Sequence, residues 1–260
     1  MKLIIQVCVF LIAPLVVGAG LAAEFTGLKN GDLMNPGNLL QGNVKNWSKK
    51  RIGTSHGLTF EDDVKGVYAA RFEIRPTDEK ISDGYRAELR DPYVASPNEE
   101  VWYRFRTLIP RQLLEDQDLS IVLAQWHDKK ANGAPAARPP LALRMKGGVL
   151  RADLWNDEIF AAQGDNGDGK ILYESGDFPA DEWIEFVFGV KWSPDDSGLV
   201  RMWMNGKLVA EHRGAIGYYD DIYGPYFKLG IYTVHDFKQP AFVYHSDYRR
   251  AANQASLDKE

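Results

Sequence analysis

Polar and apolar residues alternate with a period of two along most of this chain, the spacing of a β-strand with one buried face. Trp183 to Trp192 sets Ile184, Phe186, Phe188, Val190 and Trp192 on one side. Val101 to Ile109 sets Val, Tyr, Phe, Thr and Ile against Trp, Arg, Arg and Leu, and Leu199 to Met204 follows the same rule. Asn205-Gly206 separates Val200–Met204 from Lys207–Glu211, the strongest short-range hairpin signal. Pro76-Thr77-Asp78, Ser96-Pro97-Asn98, Gly147-Gly148 and Ser193-Pro194-Asp195-Asp196 mark further turns. Helical periodicity is scarce: Gln112 to Asp118, after Pro110, makes a single turn or a loop. Short strands at this spacing predict an all-β sandwich or jelly roll.

Three of the alternating stretches differ from an ordinary surface strand, which carries mixed charges, Thr and Ser. In Arg86-Ala87-Glu88-Leu89-Arg90, the residues Arg86, Glu88 and Arg90 share a face. In Gln125-Trp126-His127, Gln125 and His127 do. In Tyr226-Phe227-Lys228-Leu229-Gly230-Ile231-Tyr232, the face carries Tyr226, Lys228 and Tyr232. Ala87, Leu89, Trp126, Phe227, Leu229 and Ile231 point the other way, into a core.

That set of cations, amide, imidazole and phenol suits an acidic sugar and proton chemistry upon it. A uronic acid has a proton at C5, beside its carboxylate, and a glycosidic oxygen leaving from C4. β-Elimination needs donors that neutralise the carboxylate, a base for the C5 proton and an acid for the leaving oxygen. Arg86 offers a bidentate cation, Gln125 an amide, His127 a donor or acceptor, and Tyr232 a phenol that can give or take a proton. In glucuronate and mannuronate the two groups are syn, so one Tyr can serve both roles. In guluronate they are anti, and His127 is the natural base opposite Tyr232. Glu88 is expected to hold the two arginines, Arg90 and Lys228 to line the cleft, and His56, in Thr54-Ser55-His56-Gly57, to stand at its edge.

Composition narrows the classes. The 260 residues carry a formal charge of −5, which lacks the basic excess of a nucleic-acid binder. A local cation cluster can still bind an anion, since the remaining charge is screened over about 10 Å. Lys2, the apolar run Leu3 to Val17 and Gly20-Leu21-Ala22 read as a secretory signal over residues 1–22. The run is short for a membrane span of roughly 20 residues. An exported protein, extracellular or periplasmic, is expected, with residues 23–260 forming one domain, a monomer without membrane attachment once the signal is removed. The one cysteine, Cys8, lies within that signal, so the core must hold the fold without a disulfide. Seven Trp and 12% aromatic residues make that feasible.

No cofactor is expected to be required. Asp165-Asn166-Gly167-Asp168-Gly169 reads as a tight turn, because it lacks the spacing and terminal Glu of a calcium loop. Asp247 is a residue that could help hold a structural calcium. His212, His235 and His245 lack metal-ligand spacing. Lys129 to Pro140 is a connecting loop or a lid.

The three polar strands, in order, resemble signature strands of the alginate lyases of polysaccharide lyase family seven, which read Arg-(Ser/Thr)-Glu-(Leu/Val)-Arg, Gln-(Ile/Val)-His and Tyr-Phe-Lys-Ala-Gly-x-Tyr. Ala87, Trp126 and Leu229 depart from those patterns. Ser120 to His127, Lys191-Trp192-Ser193-Pro194 and Trp203 to Lys207 are more similar to glucuronan lyases and the heparin-lyase-like group, family twenty and relatives. The resemblance covers roughly residues 50 to 250. It implies a jelly-roll sandwich whose concave sheet binds an anionic polysaccharide. It implies Tyr232 as catalytic acid and base, Gln125, His127 and Arg86 around the carboxylate, and Lys228 and Arg90 along the cleft. A glucuronate polymer is the favoured substrate, followed by alginate, then ulvan or a glycosaminoglycan. A sandwich hydrolase would need a Glu-x-Asp-x-x-Glu strand, which is absent. A non-catalytic carbohydrate-binding sandwich is the rival from outside enzymology.

Overall fold

The computed structural model describes Trp47 and residues 49–130, 138–164, 167–219 and 221–257. Residues 1–22, expected to be a secretory signal, most of the Lys129–Pro140 loop and Asp165-Asn166 lie outside the described residues. In chain order the elements are β1 (Lys49–Ile52), β2 (Leu58–Val64), β3 (Val67–Ile74), β4 (Tyr85–Arg90), β5 (Glu100–Leu108), α1 (Arg111–Glu115), β6 (Ser120–Lys130), β7 (Leu141–Lys146) and β8 (Val149–Leu154). There follow α2 (Asp157–Gln163), β9 (Lys170–Ser175), β10 (Trp183–Lys191), β11 (Leu199–Met204), β12 (Lys207–Arg213), β13 (Asp221–Thr233), β14 (Ala241–Ala251) and α3 (Gln254–Leu257).

The strands form two antiparallel seven-stranded sheets. One runs β1-β4-β13-β6-β7-β8-β9 and the other β12-β11-β10-β5-β14-β3-β2. This is the expected all-β jelly-roll sandwich. The Asn205-Gly206 turn joins β11 to β12 with φ of 47° and 75°, the two positive values that a tight hairpin of the primed type requires. Helix α2 was not foreseen. Asn156 caps it, its Oδ1 accepting from the Ile159 amide at 2.8 Å, and Asp157 and Glu158 occupy its first turn.

The inner faces meet in an aromatic cluster. Trp126 (β6) lies 4.7 Å, centroid to centroid, from Phe188 (β10) and 5.0 Å from Phe227 (β13). Phe227 stacks on Tyr248 (β14) at 5.0 Å and also meets Phe105 (β5) at 5.6 Å. Ala87, Leu89, Trp126, Phe227, Leu229 and Ile231 are all buried, so the three polar strands turn their apolar sides inward as the alternation predicted. The opposite side chains must then line the outer face of the first sheet.

Two buried features lock β13 in place. Gly230 has φ of 149°, and a Cβ there would collide with the Ala87 carbonyl, so only glycine fits between β13 and β4. Behind it, His245 donates from Nε2 to the Gly230 carbonyl at 3.1 Å, leaving Nδ1 to accept from the Thr107 hydroxyl at 3.0 Å. Burial pushes this imidazole down to about 4. Because the folded value lies below the usual 6.5, the unfolded chain binds the proton more readily. The stability this neutral histidine contributes is fully present above about pH 6.5 and is lost as pH falls through about 4, by roughly 3 kcal/mol. Urea unfolding across that window should show the loss, and His245→Gln should flatten this part of the profile.

Candidate active site

Strand β13 is flanked by β4 and β6, which brings the three polar strands side by side. Across β4 the partners are Tyr232 with Arg86, Gly230 with Glu88, and Lys228 with Arg90. Across β6 they are Lys228 with Gln125 and Tyr226 with His127. Opposed residues of an antiparallel pair project to the same side. The eight polar side chains named from the sequence on these strands therefore share one face.

Glu88 is the hub of this face. Its Oε2 accepts from Arg86 Nη1 at 3.2 Å and its Oε1 from Gln125 Nε2 at 2.5 Å. It thus holds Arg86 and Gln125. Arg90, expected to be its second arginine, instead stacks on Tyr226, its Cζ 3.7 Å from the ring centroid. Arg86 makes the matching contact with Tyr232 at 3.9 Å and also donates from Nη2 to the Ser82 carbonyl at 3.1 Å. Gly84 fits flush against the Tyr232 ring, where a Cβ would clash with Cε2. Tyr232 is therefore held between a turn and a guanidinium, and the residue is half-buried.

Burial lowers the Lys228 ammonium to about 8, aided by Arg86, Arg51 and Arg90, while Glu88 opposes the shift. Burial raises the Tyr226 phenol, although Arg90 and Arg51 pull it down. Tyr226 is thus a neutral hydrogen-bonding group at ordinary pH. His127 stacks parallel on Tyr226 at 5.7 Å.

For a guluronate substrate, His127 is the expected base opposite Tyr232. His127 instead pairs with Tyr226, six positions along β13 from Tyr232, which is about 20 Å of extended strand. A register shift between Leu229 and Tyr232 further sets Tyr232 opposite Val122. The face thus has two ends, Tyr232 with Arg86 and Tyr226 with Arg90 and His127, joined by Gln125, Glu88 and Lys228.

His56 is drawn elsewhere. Its Nε2 lies 3.0 Å from Asp78 Oδ1, and Asp78 also accepts from the Arg75 amide at 2.8 Å, so this histidine braces a loop. Arg51 was missed. It pairs with Glu88 across β1 and β4, so it joins the same face, and its Nη1 donates to Ser82 Oγ at 2.9 Å. Its signal, the basic run Lys49-Lys50-Arg51, says nothing about the face until the register is known.

The acidic residues considered for calcium are otherwise engaged. Asp247 faces Arg249 Nε at 3.1 Å and Arg104 Nη2 at 3.6 Å, and Asp168 takes Lys146 at 3.0 Å. Among the described residues, no group of three or more His, Cys, Asp or Glu could hold a metal ion.

A family model described as polysaccharide lyase matches residues 40–249. The chain belongs to the polysaccharide lyase family. No curated protein matches it in sequence. Among solved structures, this lyase is similar to an endo-β-1,4-glucuronan lyase from the fungus Trichoderma reesei. The TM-score is 0.65 at 19% identity, over 86% of this chain and 98% of the other. It is also similar to an alginate lyase of polysaccharide lyase family seven, with a TM-score of 0.51 at 17% identity over 82% and 89%. A third, an alginate lyase solved as a mutant with an alginate trisaccharide, has a TM-score of 0.58 at 10% identity over 87% and 95%. At these identities the likeness establishes a shared jelly-roll fold.

Proposed function

We propose that this lyase is exported and cleaves a uronic-acid polysaccharide, glucuronan-like by preference, by β-elimination, with Tyr232 as both base and acid. The observation that carries this reading is the register of β13. It puts Tyr232 against Arg86 and leaves His127 six positions away. A single residue that removes the C5 proton and protonates the departing O4 suits a syn relation of the two, as in glucuronate and mannuronate.

The steps follow from that placement. The Tyr232 oxygen, as phenolate, takes the C5 proton, and the electron pair moves towards the carboxylate. Arg86 and Gln125, both oriented by Glu88, bind that carboxylate and stabilise the charge gathering on it. The pair then forms the C4–C5 double bond as the C4–O4 bond breaks, and the Tyr232 hydroxyl returns the proton to O4. Lys228, Arg90 and Arg51 make the rest of the face attractive to an anionic chain. The alginate trisaccharide bound by one structural relative is compatible with an anionic substrate. The apolar run within residues 1–22 supports export.

Polymannuronate and polyguluronate differ in configuration at C5 alone. Polymannuronate and glucuronan should be cut, with polyguluronate at least about a hundredfold slower. Equal or faster cleavage of polyguluronate would require a second group opposite Tyr232 and would overturn the one-tyrosine scheme. The affinity for an anionic oligosaccharide should fall as pH rises through about 8, because Lys228 is charged below that value and neutral above it. Calorimetric titration on either side of it measures the change, and Lys228→Met should remove this component.

A further inference from the structure

The outer face of the first sheet continues on the side of Tyr232 away from Arg86. Tyr232 is opposite Val122 of β6, Val122 is opposite Arg144 of β7, and Arg144 is opposite Arg151 of β8. Leu141, Leu143 and Met145 of β7 belong to the core, as do Leu150, Ala152 and Leu154 of β8. The alternate residues Arg144, Arg151 and Asp153 therefore project outward, as Arg86 and Tyr232 do. None of the three has a part in the elimination scheme.

Asp153 is a carboxylate only 2% exposed, although it stands on this outer face. Its Oδ1 accepts from Arg144 Nε at 2.6 Å and its Oδ2 from the Trp155 indole at 3.1 Å. Burial pushes the carboxyl up, and Arg144 is the first of the groups that oppose the shift. The arrangement repeats the one across Tyr232, where the buried Glu88 holds Arg86. A buried ion pair adds little net stability over apolar side chains of its size, so orienting Arg144 is the better account of this one. The bond uses Nε, which leaves the terminal nitrogens as the donors on a side chain 22% exposed. Arg151 is held more loosely. Its Nε lies 2.6 Å from Glu174 Oε2 without hydrogen-bond geometry, and Glu174 is 48% exposed. A pair so exposed yields readily to a competing anion.

We propose that Arg144, with Asp153 as its positioning residue, and Arg151 form a second carboxylate seat, which takes another uronate of the same chain whose reacting uronate lies at Arg86 and Gln125. The inference rests on the proposed uronate-binding function. Neighbouring strands lie about 4.8 Å apart, so β7 stands about 10 Å from β13 and about 14 Å from β4. That separation suits carboxylates on two different sugar units. Val122, between Tyr232 and Arg144, carries no charge and keeps the two seats distinct. Binding should therefore depend on chain length, because an oligomer too short to reach β7 uses one seat alone.

Calorimetric titration of Tyr232→Phe protein with oligoglucuronates of increasing length reads this. Affinity should step up once the chain is long enough for both seats. Adding Arg144→Gln should weaken the longest oligomer about tenfold and leave the shortest within about twofold. The difference should narrow in high salt, as an ion pair requires. Arg201→Gln makes the same charge change on β11 of the other sheet, where Arg201 pairs with Glu211, and should leave every length within about twofold. Asp153→Asn should give part of the length-selective loss, a pattern that a general loss of stability does not produce. If Arg144→Gln does not fold with Asp153 unpaired, Arg144→Met combined with Asp153→Leu removes both partners, which buried pairs tolerate, and should show the same selective loss. A loss equal at every length, or no loss, overturns the second seat. If no oligoglucuronate binds even with Arg144 in place, the uronate reading fails and this inference with it. Normal binding that ignores Arg144 overturns the inference alone.

Discussion

Tyr232→Phe is expected to reduce β-elimination at least a thousandfold while binding of the same oligosaccharide stays within about twofold. The magnitude follows from removing one group that performs both proton transfers, each worth a factor of about 10² to 10⁴. The binding half follows from geometry. The phenyl ring keeps its seat against Gly84 and its stacking with Arg86, so the cations and Gln125 stay where they are. This variant also separates enzyme from binding module. A module would lose nothing it could be measured by, since it would have no elimination to lose. Parallel loss of binding and activity would instead mean that Tyr232 shapes the cleft without doing chemistry.

The largest expected stability effect lies behind the site, at Asp91. This residue directly follows β4, is fully buried, and accepts from Arg250 Nε at 2.9 Å, the Tyr93 amide at 2.9 Å and the Tyr248 hydroxyl. Its own amide donates to the Phe227 carbonyl at 2.9 Å, tying the end of β4 to β13. Burial pushes the Tyr248 phenol well above its ordinary value, with Asp91 adding to the effect. Tyr248 therefore remains a donor. Burial alone would lower the Arg250 guanidinium, but Tyr248 and Asp91 outweigh it. Asp91→Ala leaves that cation uncompensated in the interior and should cost about 3–5 kcal/mol, or about 10 °C in Tm for a domain of this size. Thermal unfolding checks it. A drop of under about 3 °C would show that water or a rearranged Arg250 replaces the carboxylate.

The period-two alternation was enough to place Trp126 and Phe227 in the core and Arg86, Gln125, Lys228 and Tyr232 on the other side, because strand geometry leaves a side chain only two faces. The hairpin at Asn205-Gly206 was equally local. The distance between His127 and Tyr232 was not legible. It depends on which residue of β6 opposes which of β13 across about a hundred intervening positions, and on a shift of register near Tyr232. The same gap hid Arg51, which joins the site solely because β1 pairs with β4. Helix α2 had a readable start in Asn156-Asp157-Glu158, but seven residues are too few for a helical period to stand out.

The proposed chemistry leaves a conjugated C4–C5 double bond on the new non-reducing end, which absorbs in the ultraviolet, whereas hydrolysis and binding leave none. The most direct test mixes the purified protein without residues 1–22 with deacetylated glucuronan and follows that absorbance. A steady rise that is absent from the Tyr232→Phe protein is the predicted result. Chain shortening without a rise, or binding without either, would contradict elimination on this polymer.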